Sequence, residues 1–451
     1  MIAIDLNEVA KAMGGALYPQ SDNLIISRTF TDNRESNDKT GLFFAIKGEK
    51  IDSHCFVNKI CQSGSAAVVS DEKYHIKNTV LVKNVKDAIY KLADYYRTNK
   101  CTQTKVIGIT GSVGKTTTKD MTGLIMTDQF SSFVTEGNKN SLIGVPFSVM
   151  SIENQNFAVL ELGMSERGEI AKLSMLAKPF VSVITNIGSS HIEALGSIEN
   201  IKKEKFDILC GEAPDGKIVL NRDNALEYNF GKTFGDRAVF CGIENKNCDY
   251  FASDIKENEK VHFNINHCGK KTAVTLNVLG AHNIYNAMYA FAVSNICGAE
   301  SEKAAESLSR FVPNGNRQNV YEKDGYRVIA DCYNASPESM RASFYVLNKH
   351  AEGRKIAVLG DMLELGIHSE TLHRQVGKEA SETADILIFI GENADIYSSA
   401  ASKCDQIYSF ALNQKHEAAQ KLVQILKKGD TVLFKASNRL HLEDIIKDVG
   451  L

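Results

Sequence analysis

The sequence predicts an α/β protein of three units, each built around a largely parallel sheet. Three observations lead there. Short apolar runs of strand type alternate with helical patterns along most of the chain, which is how parallel sheets come to be covered on both faces. A glycine-rich turn joins one such strand to a helix at Gly108-Ile109-Thr110-Gly111-Ser112-Val113-Gly114-Lys115-Thr116-Thr117-Thr118. At ~150 residues per domain, 451 residues suggest three domains.

Composition excludes several classes. A hydrophobic content of 43% and a charged content of 24% belong to a globular protein with large cores. A net charge of −3 provides no basic field for nucleic acid. The 10 cysteines are scattered without CxxC pairing. That favours reduced thiols and a cytoplasmic location over a disulfide framework or a zinc site. The first residues carry an early acid, Asp5, and no basic-then-apolar leader, so no signal peptide is expected. No apolar run approaches the ~20 residues of a membrane span, so no membrane partner is expected either.

The first unit covers residues 1–100. Leu42-Phe43-Phe44-Ala45-Ile46 and Ala66-Ala67-Val68-Val69-Ser70 read as buried strands. Val85, Ala88, Ile89 and Leu92 fall on one face of a helix that ends near Lys100. The second unit, 101–313, opens with the strand Lys105-Val106-Ile107-Gly108-Ile109 and a helix over Thr117 to Met126. Further strands read at Phe157 to Leu162 and Val181 to Asn186. Alternating stretches between 238 and 278, such as Val261 to Asn266, predict a small antiparallel patch, followed by a helix from Asn283 to Cys297. Pro313-Asn314-Gly315-Asn316 is turn-rich and marks the second boundary. The third unit, 314–451, has strands at Arg327 to Asp331, Lys355 to Gly360, Ile386 to Gly391 and Thr431 to Lys435 with helices between them. That is a Rossmann-like, doubly wound sheet.

The glycine-rich turn carries the clearest chemistry. Gly111, Ser112 and Gly114 let backbone N–H groups close around phosphates. Lys115 reaches the outer phosphates, a threonine hydroxyl, that of Thr116, can hold Mg²⁺, and Thr117 follows in the same nucleotide-binding turn. The strict phosphate-loop pattern wants glycine where this chain has Ile109. Glu161 ends a buried strand, and His191 follows another through Thr185-Asn186-Ile187-Gly188-Ser189-Ser190. Both point toward the crevice at the carboxyl ends of the strands. Glu161 either ligates Mg²⁺ there or pairs with a helix terminus, and His191 is either a site residue or a structural one.

Lys205 falls in the middle of the helical stripe of Ile198, Ile201, Ile208 and Leu209. Such a lysine either snorkels to solvent or is buried with a depressed pKa. A buried amine of that kind can take up carbon dioxide as a carbamate and so become a metal ligand. Asn283, at the start of an apolar helix, either caps it or bonds an adenine edge. Arg317 and Asp331 flank the second boundary and are placed to reach a nucleotide from the third unit.

Taken together, these stretches resemble the Mur ligase family of ATP-dependent amide-forming enzymes of peptidoglycan synthesis. The resemblance rests on the phosphate loop, Glu161-Leu162-Gly163, Thr185 to Gly188 with His191, Lys205, and His282-Asn283 with Asn286. Three further stretches narrow it to one member: Gly137-Asn138-Lys139-Asn140-Ser141-Leu142-Ile143-Gly144-Val145-Pro146, Asp331-Cys332-Tyr333-Asn334-Ala335-Ser336-Pro337, and Ala357 to Gly366.

The resemblance implies roles. Lys115 and the loop amides would hold ATP. Thr116 and Glu161 would bind one Mg²⁺, and His191 with carbamylated Lys205 a second. Asn283, Arg317 and Asp331 would hold the nucleoside and phosphates. Asn33, Arg34, Lys47 and His54 would meet the UDP end of UDP-N-acetylmuramoyl-tripeptide, with Asn138, Asn140, Asn334 and Ser336 at substrate contacts. D-alanyl-D-alanine would be the amine, joined through an acyl phosphate by a monomeric enzyme. Departures from the family pattern, including Ser141, Leu142, Ser336 and Asn438, cluster at substrate contacts. They leave a second reading open, in which a relative joins a different amine or carboxylate.

Overall fold

The structure is a computed structural model that describes all residues except 36–38, 314–316 and 405. The turn at Asn314-Gly315-Asn316 therefore lies outside the described residues. Three parallel-rich sheets follow one another along the chain, with a separate two-stranded ribbon of Ile4–Asp5 and Ile25–Ile26 at the N-terminus.

The first sheet has five strands in the order Ala16–Leu17, Thr79–Leu81, Ala66–Val69, Gly41–Phe44 and Arg28–Phe30. All pairs but the first are parallel. Helix Val85–Asn99 leads out of this unit. Asn84 caps it by accepting from the Asp87 amide at 3.1 Å. The same helix ties the first unit to the second: the Tyr96 hydroxyl accepts from Ile2 N–H at 2.8 Å and donates to the Ile152 carbonyl.

The central sheet has nine strands. Lys105–Thr110 lies in its middle, between Phe157–Glu161 and Pro179–Ile184, with Ser132–Val134 at one edge. Beyond Pro179–Ile184 come Lys217–Asn221, Ala238–Gly242 and Tyr250–Glu257, all still parallel. Only Val261–His267 and Lys270–Leu276 then turn antiparallel. The expected antiparallel patch is thus not a separate element. Half of it continues the parallel sheet, because Ala238–Gly242 and Tyr250–Glu257 find partners already laid down beside them. The phosphate-loop helix runs Lys115–Gln129, longer at both ends than its apolar pattern shows.

The third sheet has the order Asn319–Lys323, Tyr326–Asp331, Thr431–Lys435, Lys355–Gly360, Ile386–Ile390, Gln406–Phe410. Among the described residues its antiparallel pair is the Asn319–Lys323 edge. Ile386–Ile390 is buried throughout, and each such side chain contributes roughly 1.5–3 kcal/mol of burial. Asn319–Lys323 and Gln406–Phe410 escape a reading by apolar run because edge strands are only half covered. Among the described residues no disulfide joins the cysteines, and no helix is long and apolar enough to cross a membrane.

Candidate active site

Strand Lys105–Thr110 is buried after its first residue, so the chain leaves the sheet at its carboxyl end. It does so at Gly111, with φ 150; a Cβ there would lie 1.9 Å from Thr185 Oγ1. The loop is pinned by its neighbours. Ser112 N–H donates to the Asn186 carbonyl at 3.0 Å, and Val113 N–H to Asn186 Oδ1 at 2.8 Å. Helix Lys115–Gln129 starts at once, so the unpaired N–H groups of its first turn mark an anion site. Lys115 Nζ folds over the loop, donating to the carbonyls of Gly111 at 2.8 Å and Ser112 at 3.2 Å. Burial lowers its pKa; Glu161 opposes this and Arg317 adds to it.

Glu161 is 1% exposed. It accepts from Thr116 Oγ1 at 2.8 Å and from Asn140 Nδ2 at 2.7 Å. The loop that carries Asn140 is anchored by buried Lys119, whose ammonium donates to the carbonyls of Thr135 and Gly137. A threonine hydroxyl beside a buried carboxylate at the foot of a phosphate loop fits Mg²⁺, which takes one or two carboxylates plus phosphate oxygens. Among the described residues, no group of three or more His, Cys, Asp or Glu side chains converges on a metal site.

His191 opens the short helix Ile192–Leu195 in a left-handed conformation, φ 64. Its Nδ1 lies 2.6 Å from Glu364 Oε2 of the third unit. The hydrogen bond from His191 is the main reason the Glu364 carboxyl is held below its usual pKa. Beside it, Glu338 accepts from Ser189 N–H at 2.8 Å and Ser189 Oγ at 3.1 Å. Two carboxylates of the third unit therefore grip one loop of the second.

The opposite wall combines the third unit with the start of helix Ala281–Ile296 of the second. Asp331 and Lys435 are register partners on neighbouring strands, and their side chains meet at 2.6 Å. Burial disfavours the charged carboxylate, but Lys435 and the Ser343 hydroxyl overcome it and hold the Asp331 pKa low. The Arg317 guanidinium lies over the Tyr333 ring, 3.5 Å from its centroid. Asn283 Nδ2 donates to the Leu279 carbonyl at 2.8 Å and to Gln318 Oε1 at 2.6 Å, and its Oδ1 accepts from Asn286 at 3.1 Å. Asn283 is thus neither a simple cap nor a free group.

Together these walls enclose a cavity of about 540 Å³. It brings together Ser112, Gly114, Lys115, Thr116, Thr117, Asn140, Glu161, His191, Asn283, Arg317, Asp331 and Asn334. Gly111 contributes the turn beneath it, but does not line it. Lys205 is 1% exposed, yet lies outside the lining. It does not snorkel; burial, then Lys115, drives its pKa well below the ordinary lysine value. Glu204 and Glu227 pull its pKa the other way.

Asn33, Arg34, Lys47 and His54 stand apart on the first unit. Arg34 is exposed and tied to Asp32. His54 is 3% exposed, with Nδ1 at 2.6 Å from Asp52 and Nε2 accepting from Ser70 N–H at 3.0 Å, so both ring nitrogens are engaged. Asn138 also lies off the cavity. Ser336 is 3% exposed and serves as the N-cap of helix Pro337–His350 in a capping box with Ser339. Sequence reasoning missed Gln318, Tyr333, Glu338 and Lys435, and gave Glu364 no role. An acid just after a helix-starting proline reads as an ordinary first-turn residue, so Glu338 carried no distinct signal.

Fold and site define a phosphate-loop enzyme whose cavity is lined by two α/β units. Residues 109–294 match the Mur ligase middle domain, and residues 316–438 match the Mur ligase, glutamate ligase domain. The chain is 37% identical over 468 residues to the UDP-N-acetylmuramoyl-tripeptide–D-alanyl-D-alanine ligase of Bacillus subtilis (strain 168), covering 100% of this chain and 99% of that protein. The enzyme of the same name from Escherichia coli (strain K12) is 30% identical, with 99% and 98% covered. The chain belongs to the Mur ligase family. Among solved structures, MurF from Acinetobacter baumannii superposes with a TM-score of 0.90 at 28% identity, covering 99% of this chain and 98% of that one. MurF ligase from Thermotoga maritima in complex with ADP gives 0.83 at 27% identity, covering 94% and 96%.

Proposed function

We propose that this chain is an ATP-dependent ligase that joins D-alanyl-D-alanine to UDP-N-acetylmuramoyl-tripeptide in peptidoglycan precursor synthesis. The observation that carries the reading is the meeting, in one cavity, of Lys115, Thr116 and Glu161 from the second unit with Arg317, Asp331 and Asn334 from the third. Full-length identity to enzymes of that name, and the ADP held by the Thermotoga maritima relative, support it. Residues 1–100 would hold the UDP end through Asn33, Arg34 and Lys47, with His54 as an internal brace. Residues 101–313 would bind ATP, and 314–451 would close over it. The reaction belongs to the cytoplasm, where ATP is supplied.

The chemistry asks for two anions to meet. The tripeptide carboxylate attacks the γ-phosphorus of ATP, the bond to the β-phosphate oxygen breaks, and ADP leaves. The amine of D-alanyl-D-alanine attacks the acyl carbon of the acyl phosphate. Phosphate leaves, and the amine proton passes to solvent. The chain contributes position and positive charge. Lys115 exchanges its loop carbonyls for phosphate oxygens. Arg317, braced on Tyr333, faces the same charge from the third unit. Asn283 and Asp331 orient the nucleoside, while Asn140, Asn334 and the loop around Asn138 and Ser336 orient the carboxylate and amine partners. Thr116 and Glu161 would hold Mg²⁺, which when bound supplies further cancellation of phosphate charge. Closure between the two units excludes water that would hydrolyse the acyl phosphate.

His191 and Lys205 complete the reading, with Lys205 as a carbamate. A fully buried neutral amine is the form that reacts with carbon dioxide, and the low pKa of Lys205 supplies it. Lys205→Ala is expected to abolish ligation, and bicarbonate to restore activity to enzyme depleted of carbon dioxide. A fully active alanine variant ends the carbamate assignment. The function itself is tested by incubation with ATP, Mg²⁺, UDP-N-acetylmuramoyl-tripeptide and D-alanyl-D-alanine, with the product read by mass. Phosphate release only with single amino acids or polyglutamate, or ATP turnover without any amide, overturns it.

A further inference from the structure

We infer that Glu257 is a positioning residue that ties the nucleotide end of the cavity to the docking of helix Pro337–His350. This rests on the ATP-dependent reading above. Glu257 closes strand Tyr250–Glu257, and its side chain is 1% exposed. Oε1 accepts from Gly280 N–H at 2.6 Å and lies 3.1 Å from His350 Nε2. Oε2 accepts from the Tyr345 hydroxyl at 2.8 Å and from Lys349 Nζ at 2.9 Å. The first donor is on Glu257's own unit. The other three stand on the last two turns of one helix of the third unit.

Gly280 immediately precedes helix Ala281–Ile296, which delivers His282, Asn283 and Asn286 to the cavity. The hydrogen bond from its amide to Glu257 therefore fixes where that helix begins. Gln318 grips the same turn from the connection between units, at 2.6 Å from Asn283 Nδ2 and 3.2 Å from His282 Nε2. At the other end of helix Pro337–His350, Glu338 holds Ser189, two residues from His191. A helix of 14 residues spans about 21 Å. One helix is thus fastened at both ends by carboxylates, to the turn before Asn283 and to the loop before His191.

The energetics make the contact conditional. A buried carboxylate is tolerated only when hydrogen-bonded or paired. Burial disfavours the charged form of Glu257, but Lys349, Tyr345, Gly280 and His350 overcome it and hold the carboxyl below its usual pKa. With the helix docked, Glu257 has four partners; with the helix displaced, it keeps the Gly280 amide alone. Nucleotide affinity then depends on a residue that touches no nucleotide, because the turn that carries Asn283 is set only when the third unit is in place.

The test is a double-mutant cycle in the full-length protein, read as ATP affinity by calorimetry without peptide substrates, and as KM for ATP and kcat with them. Glu257→Gln and Lys349→Met are each expected to weaken ATP binding about tenfold, with the double variant no worse than Glu257→Gln alone. kcat at saturating ATP is expected to change by less than about threefold. Tyr345→Phe, which removes one hydroxyl, gives a smaller loss. If Glu257→Gln does not fold, Lys349→Met and Tyr345→Phe carry the test, since Lys349 is 39% exposed. Multiplicative losses in the double variant overturn the inference, as does a fall in kcat at unchanged ATP affinity. Intact coupling without ligation of D-alanyl-D-alanine would instead sink the substrate assignment. A wild type that binds no ATP would sink both.

Discussion

His191 Nδ1 and Glu364 Oε2 stand 2.6 Å apart, the imidazole on the second unit and the carboxylate on the third. A carboxylate only accepts, so Nδ1 carries the hydrogen of this contact. Glu364 is itself in a left-handed conformation, φ 63, and its carbonyl accepts from Glu193 N–H at 3.2 Å. A non-glycine residue persists there when its surroundings over-determine it. Side chain and backbone of one residue thus hold both sides of the His191 turn.

Glu364→Gln is therefore expected to lower kcat by about 10–100-fold, the usual effect of removing the carboxylate behind a working histidine. The Glu364 side chain is 51% exposed, so the melting temperature should barely move. Steady-state kinetics beside a thermal melt check both halves. Unchanged kcat would mean that the contact is incidental.

Gly188 offers a second handle on the same loop. A Cβ at this position would lie 2.8 Å from Glu338 Cδ. Gly188→Ala should push the carboxylate off Ser189 and lower kcat/KM for ATP by roughly tenfold. In a Glu338→Ala background the same alanine meets no carboxylate and should add little. Equal losses in both backgrounds would show that Glu338 is not what the glycine makes room for.

The residues legible in the sequence were those whose chemistry is local. The phosphate loop declares itself because strand, turn and helix are contiguous, and Glu161 because it ends an apolar strand. The burial of Lys205 follows from its place on a helical stripe, where the bland alternative of snorkelling was equally open. Glu338 and Glu364 were not legible as contacts, because each acts on a partner brought near only by docking of the third unit; Glu338 and Ser189 are 149 positions apart. The surroundings of His54 are illegible for a different reason. A polar cluster in a loop looks the same in sequence whether its histidine faces a ligand or, as here, a neighbouring aspartate and an amide. The nine-stranded sheet was under-read because alternation shows which face of a strand is wet, not which strand lies beside it.

Lys115→Met should remove turnover by on the order of 10²–10³-fold, as loss of one charge-stabilising donor does. The fold should not suffer, because burial already disfavours the charged ammonium. Product formation and a melting curve decide it. Wild-type turnover in this variant would exclude Lys115 from the phosphate site.

Glu227 gives a pH signature separate from catalysis. Its side chain is fully buried, with Oε2 accepting from Asn221 N–H at 2.8 Å. Burial pushes its pKa up to about 8, while the Asn221 and Ile187 amides and Lys205 pull the other way. In the unfolded chain the carboxyl ionises near about 4.3. Between these values the folded protein keeps a proton that the unfolded chain has lost, so this residue makes stability fall as pH rises. Below about pH 4 both states are protonated, and above the folded pKa both are ionised, so the contribution is flat outside the window. Glu227→Gln retains an acceptor for Asn221 but cannot ionise. Its melting temperature should exceed that of the wild type by a margin that grows from about pH 5 to about pH 8 and then levels off. Paired melts across that range check the prediction. A margin independent of pH would mean that Glu227 is ionised in the folded protein throughout, with Lys205 beside it carrying the balancing charge.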